Sequence, residues 1–443
     1  MDPSAPTSLD PSASATSAVT QHASRITGRP SLLRRSLIAP VKFFWGMAFC
    51  QGLFGGILVV GWTYRLAQRA VLKYWWSLGP GNKGTFADFM AVDGRASGHA
   101  HWPNWFCQQN FLNALRRQPG VSAFSYALSL VRAFVHSFWL NFWIGLRAIL
   151  NTWVLTLPAC ILWWFGWYDG WNNSFSKGYE QAAVGPLVSI IGIFLFIAVM
   201  FYVPLAQARQ AATGDWRSFY QFRLIWTLAR YRWLSCVGLA CLYSLLAIPL
   251  MVMKIYPMFA PQNHPEIASM TDPQLLKYLN DYFFRCAIWV LPAFVILRLV
   301  AARIYASAIL PLVQCGKLQP AALSEIEREH LERLGLLNVQ PGPERHLFIR
   351  LIAWTGTRVG RIASGIALFL IWFSFVAQIY IAEFFNYHGG LAWLNQPLVQ
   401  LPWFHYLPMR FKNPSGDLFF ALLIFLLALL CGSVWRTLHR AKR

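Results

Sequence analysis

Six stretches of this chain are apolar almost without interruption, at about 149–168, 184–205, 234–253, 286–305, 362–382 and 417–435. At 1.5 Å rise per residue, each is long enough to cross the roughly 30 Å hydrocarbon layer as a helix. The pattern predicts an all-α fold, a polytopic integral membrane helical bundle with six clear spans and up to eight. Two further stretches make up the difference. Residues 41–62 have span length, but Gly46, Gly52, Gly55, Gly56 and Gly61 suit either close helix packing or a broken, re-entrant helix. Residues 122–146 are apolar except for Ser122, Ser125, Ser129, Arg132 and His136, spaced 3, 4, 3 and 4 apart, which form one narrow helical stripe. An interfacial helix has a broad charged face, so this stripe suits a helix whose polar edge faces protein, or one tilted beneath the bundle. If 122–146 crosses separately there are eight spans. Otherwise there are seven, or six plus a re-entrant segment.

Basic residues flanking the six clear spans set an orientation. Segments 206–232, 316–361 and 436–443 hold 5, 7 and 4 Lys or Arg, whereas 169–183, 256–283 and 384–416 hold 1, 1 and 2. Basic loops stay cytoplasmic, so the C-terminus is expected inside, and a bacterial inner (cytoplasmic) membrane is the default location. The flanks of 41–62 are basic on both sides and orient nothing.

The chain divides accordingly. Residues 1–39, rich in Ser, Thr, Ala and Pro, read as a disordered N-terminal tail, with no secretory signal evident. Residues 40–146 comprise the first membrane segment, a basic region and the striped helix. Residues 147–315 form a four-span core in which Pro204-Leu205-Ala206-Gln207 and Pro311-Leu312-Val313-Gln314 hint at two similar hairpins. Residues 316–361 are a charged cytoplasmic connector, and 362–443 hold two spans and a basic tail.

Composition agrees with a membrane location. Of 443 residues, 56% are hydrophobic and 12% charged, about half the usual ~25%. The 38 Lys and Arg against 17 Asp and Glu leave a formal charge of +21. That surplus, scattered beside apolar spans, points to anionic membrane lipids as partners and away from nucleic acid. Trp153, Trp163, Trp164, Trp167 and Trp171 read as an aromatic belt at the headgroup level.

Candidate chemistry is sparse. No catalytic site, metal site or cofactor is expected. The eight Cys are scattered singly without a CxxC pair. Every acid falls in a loop, a tail or the last turn of a span, with Glu180 and Glu383 at outer span ends the nearest to the membrane interior. Only His136 of ten His lies in an apolar run, and His99, His101 and Cys107 share a Gly- and Trp-rich loop without metal-site spacing. Ser364 opens a span but has no later intramembrane His to act as its base. The loop from Gly79 to Thr85 lacks phosphate-loop order and reads as a turn.

What remains are intramembrane cations. Arg298 and Arg303 interrupt an apolar run and either snorkel to the cytoplasmic leaflet or hold an anion or lipid headgroup, with Arg132 and His136 contributing from the stripe. In the connector, Ser324 and Glu327 have capping-box spacing for a short exposed helix, Glu325–Leu334, stopped by Gly335. Its acids Glu325, Glu327, Glu329 and Glu332 are candidates for docking a protein partner. The expected function is a non-catalytic membrane scaffold or an assembly factor or subunit of a membrane complex. The alternatives are a transporter or permease for an anionic or lipid-like substrate and, after it, an intramembrane enzyme.

Overall fold

A computed structural model describes residues 32–79, 84–86, 89, 122–169, 184–337, 347–385 and 393–402. Among the described residues all regular structure is helical, with no strand. Ten helices carry the fold: α1 (Leu32–Phe49), α2 (Leu53–Leu78), α3 (Ala123–Asp169), α4 (Val184–Met200), α5 (Val203–Thr213), α6 (Phe222–Tyr231), α7 (Trp233–Asn263), α8 (Asp272–Gln314), α9 (Glu325–Arg333) and α10 (Leu347–Phe384). Five stretches are long and apolar enough to cross a membrane: Ser137–Asp169, Val184–Thr213, Trp233–Asn263, Asp272–Gln314 and Arg358–Phe384. The sixth expected span, 417–435, the basic tail, Glu180, and the loop with His99, His101 and Cys107 lie outside the described residues.

Three expectations change. Residues 122–146 and 149–168 belong to one 47-residue helix, α3, with no break between them. One continuous helix, about 70 Å along its axis, with its single span-like stretch at Ser137–Asp169, leaves 122–146 without a separate span. Residues 41–62 are likewise not one continuous helix, because the chain breaks at Cys50–Gly52 between α1 and α2. A Cβ at Gly55 would collide with the Phe49 carbonyl across that break, so the glycine is required there. Helix α1 begins at Leu32, inside the stretch expected to be tail.

The proposed repeat divides as well. Pro204-Leu205-Ala206-Gln207 opens α5 after a break at Phe201–Tyr202, where proline fits the first turn. Pro311-Leu312-Val313-Gln314 is instead the uninterrupted last turn of α8. Helix α3 packs chiefly on α4, whereas α7 packs chiefly on α10, so the two hairpins are not equivalent.

The centre of the bundle is α5. All eleven of its residues are buried, packed by α2, α3, α4 and α8 and met by α9 and the 3-10 turn Trp216–Tyr220. It ends at Gly214, whose φ of +68° is the left-handed cap that glycine adopts without strain. Around it, Trp163, expected in the aromatic belt, is wholly buried against Phe196 at 4.8 Å and Trp393 at 6.0 Å. Packing of this kind among aromatic rings, rather than the headgroup level, explains that indole.

Candidate functional site

The chain from Trp393 to Pro402 is non-helical apart from one short turn, yet all of it except Leu394 is buried. Backbone outside a helix is tolerated at membrane depth only where protein or a water-filled cavity satisfies its polar groups. This segment satisfies many of its own: Asn395 Oδ1 accepts from Leu401 N at 3.1 Å, and Gln400 Oε1 accepts from Gln396 N at 2.9 Å. The bundle supplies the rest. Gln400 Nε2 donates to Thr156 Oγ1 at 2.6 Å. Thr156 lies thirteen residues before the end of α3 at Asp169, which places this contact about 20 Å along the helix from that end.

The doubly held anchor is the Val399 carbonyl, which accepts from Arg298 Nη2 at 2.7 Å and from Gln207 Nε2 at 3.0 Å. Arg298 is 4% exposed. Its Nη1 donates to the Tyr243 hydroxyl at 3.0 Å, its guanidinium lies 4.5 Å from the Phe294 ring centre, and its Nε has no partner. Its partners are a phenol and a carbonyl, so no carboxylate among the described residues neutralises it. Gln207 also donates to Thr152 Oγ1 at 2.9 Å, and its carbonyl oxygen is buried without a partner. The snorkelling expected of Arg298 therefore does not occur.

A second charged element lies alongside. Lys254 of α7 and Glu383 of α10 form a buried ion pair. Lys254 lines a narrow crevice between α7, α10 and the buried segment. Gln378, Gln396 and Leu398 share that lining, and the carbonyl oxygens of both glutamines are buried without partners. Glu383, expected at a solvated helix end, is therefore buried. Lys254 carries no expectation from sequence, and the only trace of the pair there is two opposite charges near the same ends of two spans.

The third element closes the other end of α5. Arg209, wholly buried, pairs with Glu327 of α9 at 3.4 Å, and its Nε and Nη1 have no partner. Glu327 also forms the capping box with Ser324, accepting from Ser324 N at 2.8 Å. Burial raises the Glu327 carboxyl pKa, and Arg209 and the Ser324 N–H oppose that rise only in part. Arg333 fixes the far end of α9 by donating to Phe89 O at 2.6 Å and covering its ring at 4.0 Å.

Of the residues singled out from sequence, Arg298 lies at the Val399 carbonyl, and Glu383 and Glu327 lie in the two buried ion pairs. Arg132 is exposed on the N-terminal extension of α3, and the His136 side chain lies outside the described atoms. Arg303 is exposed, its guanidinium 5.6 Å from the Tyr74 ring centre. Among the described side chains, buried Arg298 thus stands apart in burial from the exposed Arg132 and Arg303. Helix α9 has the expected cap, but it is not exposed all round: Glu327 faces inward, while Glu325, Glu329 and Glu332 face outward. Compared with known proteins, the chain matches no family model, no curated protein and no solved structure.

Proposed function

We propose that the chain is a multi-pass membrane transporter or permease for a small anionic substrate. The observation that carries this reading is the buried irregular segment 393–402, held at the Val399 carbonyl by a cation, Arg298, that no acid among the described residues neutralises. Broken backbone at a polar centre is how membrane carriers build substrate sites, and an intramembrane cation is costly enough to mark function by default. In this reading the crevice beside Lys254 is the outer vestibule, segment 393–402 is the barrier, and the Arg209–Glu327 pair closes the cytoplasmic end.

The finer topology belongs to the same proposal. Six crossings, the five described and 417–435, with 41–62 as a broken re-entrant element, leave the basic segments and the C-terminus cytoplasmic in a bacterial inner membrane. The scaffold expectation rests on absent catalytic groups, Trp-rich and Gly-bearing packing surfaces and the charged connector, none of which calls for the buried charges Lys254, Glu383 and Arg209. It is retained as a second reading because Glu325, Glu329 and Glu332 leave one acidic face of α9 turned outward.

The test is flux in proteoliposomes of the full chain, using radiolabelled chloride, phosphate and acetate, for the wild type and Arg298→Gln. Flux of one anion that Arg298→Gln abolishes supports the reading. No flux of any of the three, together with a stoichiometric membrane partner lost on deleting 320–340, replaces it with the scaffold.

A further inference from the structure

A second feature, on another part of the bundle, does not depend on the transport reading. Behind the amphipathic helix α6 runs a shallow groove lined by Pro204, Trp226, Trp233, Leu239, Leu368 and Trp372 among other apolar residues. It meets the chain at the α4–α5 break, where Phe201 leaves the helical line and Pro204 lies in the first turn of α5. Every lining residue is apolar or a thiol, so the groove suits hydrocarbon rather than water.

One end of this groove is strongly basic. From Trp216 to Arg232 the chain carries Arg217, Arg223, Arg230 and Arg232 and no acid. On the neighbouring helix, Arg361, Gly365, Leu368 and Trp372 follow at steps of 4, 3 and 4, which is one face of α10. A Cβ on Gly365 would meet Trp233 at 3.7 Å, so that face is the one turned to the groove, and exposed Arg361 stands one turn nearer its basic end. Arg230 is exposed too, with its guanidinium 5.3 Å from the Trp226 ring centre. The indole N–H of Trp233, a lining residue, is buried with no partner, and so is Nε of the preceding Arg232, whose Nη2 donates to Ser307 O of α8 at 2.9 Å. Buried donors of this kind ordinarily find an acceptor. Exposed Phe222, Trp226 and Tyr231 on α6 place its outer face at headgroup level.

We infer that this groove is a specific site for one anionic phospholipid, an acyl chain lying along Trp226, Trp372 and Leu368 and the phosphate held by Arg230, Arg361 and the Trp233 and Arg232 donors. The alternatives fail on chemistry. A zwitterionic lipid brings a choline or ethanolamine cation into a cluster of arginines, and a free anion leaves the apolar groove unfilled. The site lies against the break that opens α5, so its occupant would support the helix on which Gln207 and Arg209 stand.

The experiment uses the full chain in mild detergent and native mass spectrometry with phosphatidylglycerol or phosphatidylcholine of identical acyl chains. The expected result is one phosphatidylglycerol retained per chain in preference to phosphatidylcholine. Arg230→Gln/Arg361→Gln should weaken phosphatidylglycerol retention about 25-fold, about fivefold for each cation beside an anionic headgroup, with phosphatidylcholine unchanged. Both arginines are exposed, so the variant should melt as the wild type does in phosphatidylcholine. Trp233→Phe keeps a ring in the groove and removes the N–H, and should also selectively weaken phosphatidylglycerol. Equal retention of both lipids by the wild type overturns the inference, as does undiminished phosphatidylglycerol binding by the double variant or a protein found covering the groove by cross-linking at Trp226.

Discussion

Arg298 of α8 and Gln207 of α5 donate to the same oxygen, the Val399 carbonyl, at 2.7 and 3.0 Å. Two helices far apart in sequence are thereby tied through one atom of a segment that belongs to neither. Both residues also keep an unused group, Arg298 Nε and Gln207 Oε1, at the same centre. The tie is therefore not saturated, and a ligand with both acceptor and donor atoms would complete it.

Replacing Arg298 separates its charge from its packing. Arg298→Gln removes the cation, whereas Arg298→Met also strips Tyr243 and Val399 of a donor. A buried polar group left unpaired costs about 1–3 kcal/mol, so Arg298→Met should lower stability in detergent by about that amount. Gln207 still serves Val399, which keeps the loss towards the lower end. Melting of the two variants by tryptophan fluorescence measures it. An Arg298→Met protein as stable as the wild type would mean that neither Tyr243 nor Val399 relies on Arg298 as a donor.

Lys254 and Glu383 should behave as a unit. Removing one partner of a buried ion pair typically costs about 3–5 kcal/mol, while exchanging both for apolar residues is often neutral. Lys254→Met and Glu383→Leu should each destabilise severely, and the double variant should recover most of the loss. A double-mutant cycle on unfolding checks this, and simple additivity would show that the two charges are held by other groups.

Much of the bundle was legible because long apolar runs and basic loops are local signals. Five of the six runs fall on helices long enough to cross, and Ser324 and Glu327 form the cap their spacing predicted. The centre was not legible. Trp393 to Pro402 is too short and too mixed for a span, and its burial depends on donors from Arg298 and Gln207 and on the Thr156 hydroxyl as an acceptor, all far away in sequence. Lys254 and Glu383 are 129 residues apart and each sits near a span end, where solvation is the ordinary expectation. Arg209 counted as one more cytoplasmic loop cation, although it lies on the helix that everything else surrounds.

Glu327 gives a pH dependence opposite to that of an ordinary salt bridge. Its folded pKa is raised above the unfolded value because burial outweighs the attraction of Arg209. Its contribution to docking α9 is therefore fully present below the unfolded pKa and is lost as pH rises through the folded pKa. Protection of amides 325–337, corrected for intrinsic exchange, should increase as pH falls from about 8 to 5. Glu327→Gln keeps a capping-box residue at that position and should flatten the profile. Protection that instead falls on acidification of the wild type would show that attraction to Arg209 outweighs the cost of burying the carboxylate.

Glycines distinguish close approach from mere flexibility. A Cβ on Gly61 of α2 would sit inside the van der Waals radius of the Asn141 carbonyl on α3, and one on Gly145 would do the same to Ile57. These two positions let the backbones touch, which brings Asn141 Oδ1 within 2.8 Å of Arg65 Nη1. Gly238, within α7, has nothing within 4 Å of the equivalent point. Gly61→Ala must push α2 from α3 and should cost at least the 1–3 kcal/mol or so typical of overpacking. Gly238→Ala gains helix propensity without a clash and should stabilise by about 0.5–1 kcal/mol. Opposite shifts in melting temperature for the same chemical change would assign the Gly61 effect to the α2–α3 contact, and equal shifts would remove that contact from the account of the fold.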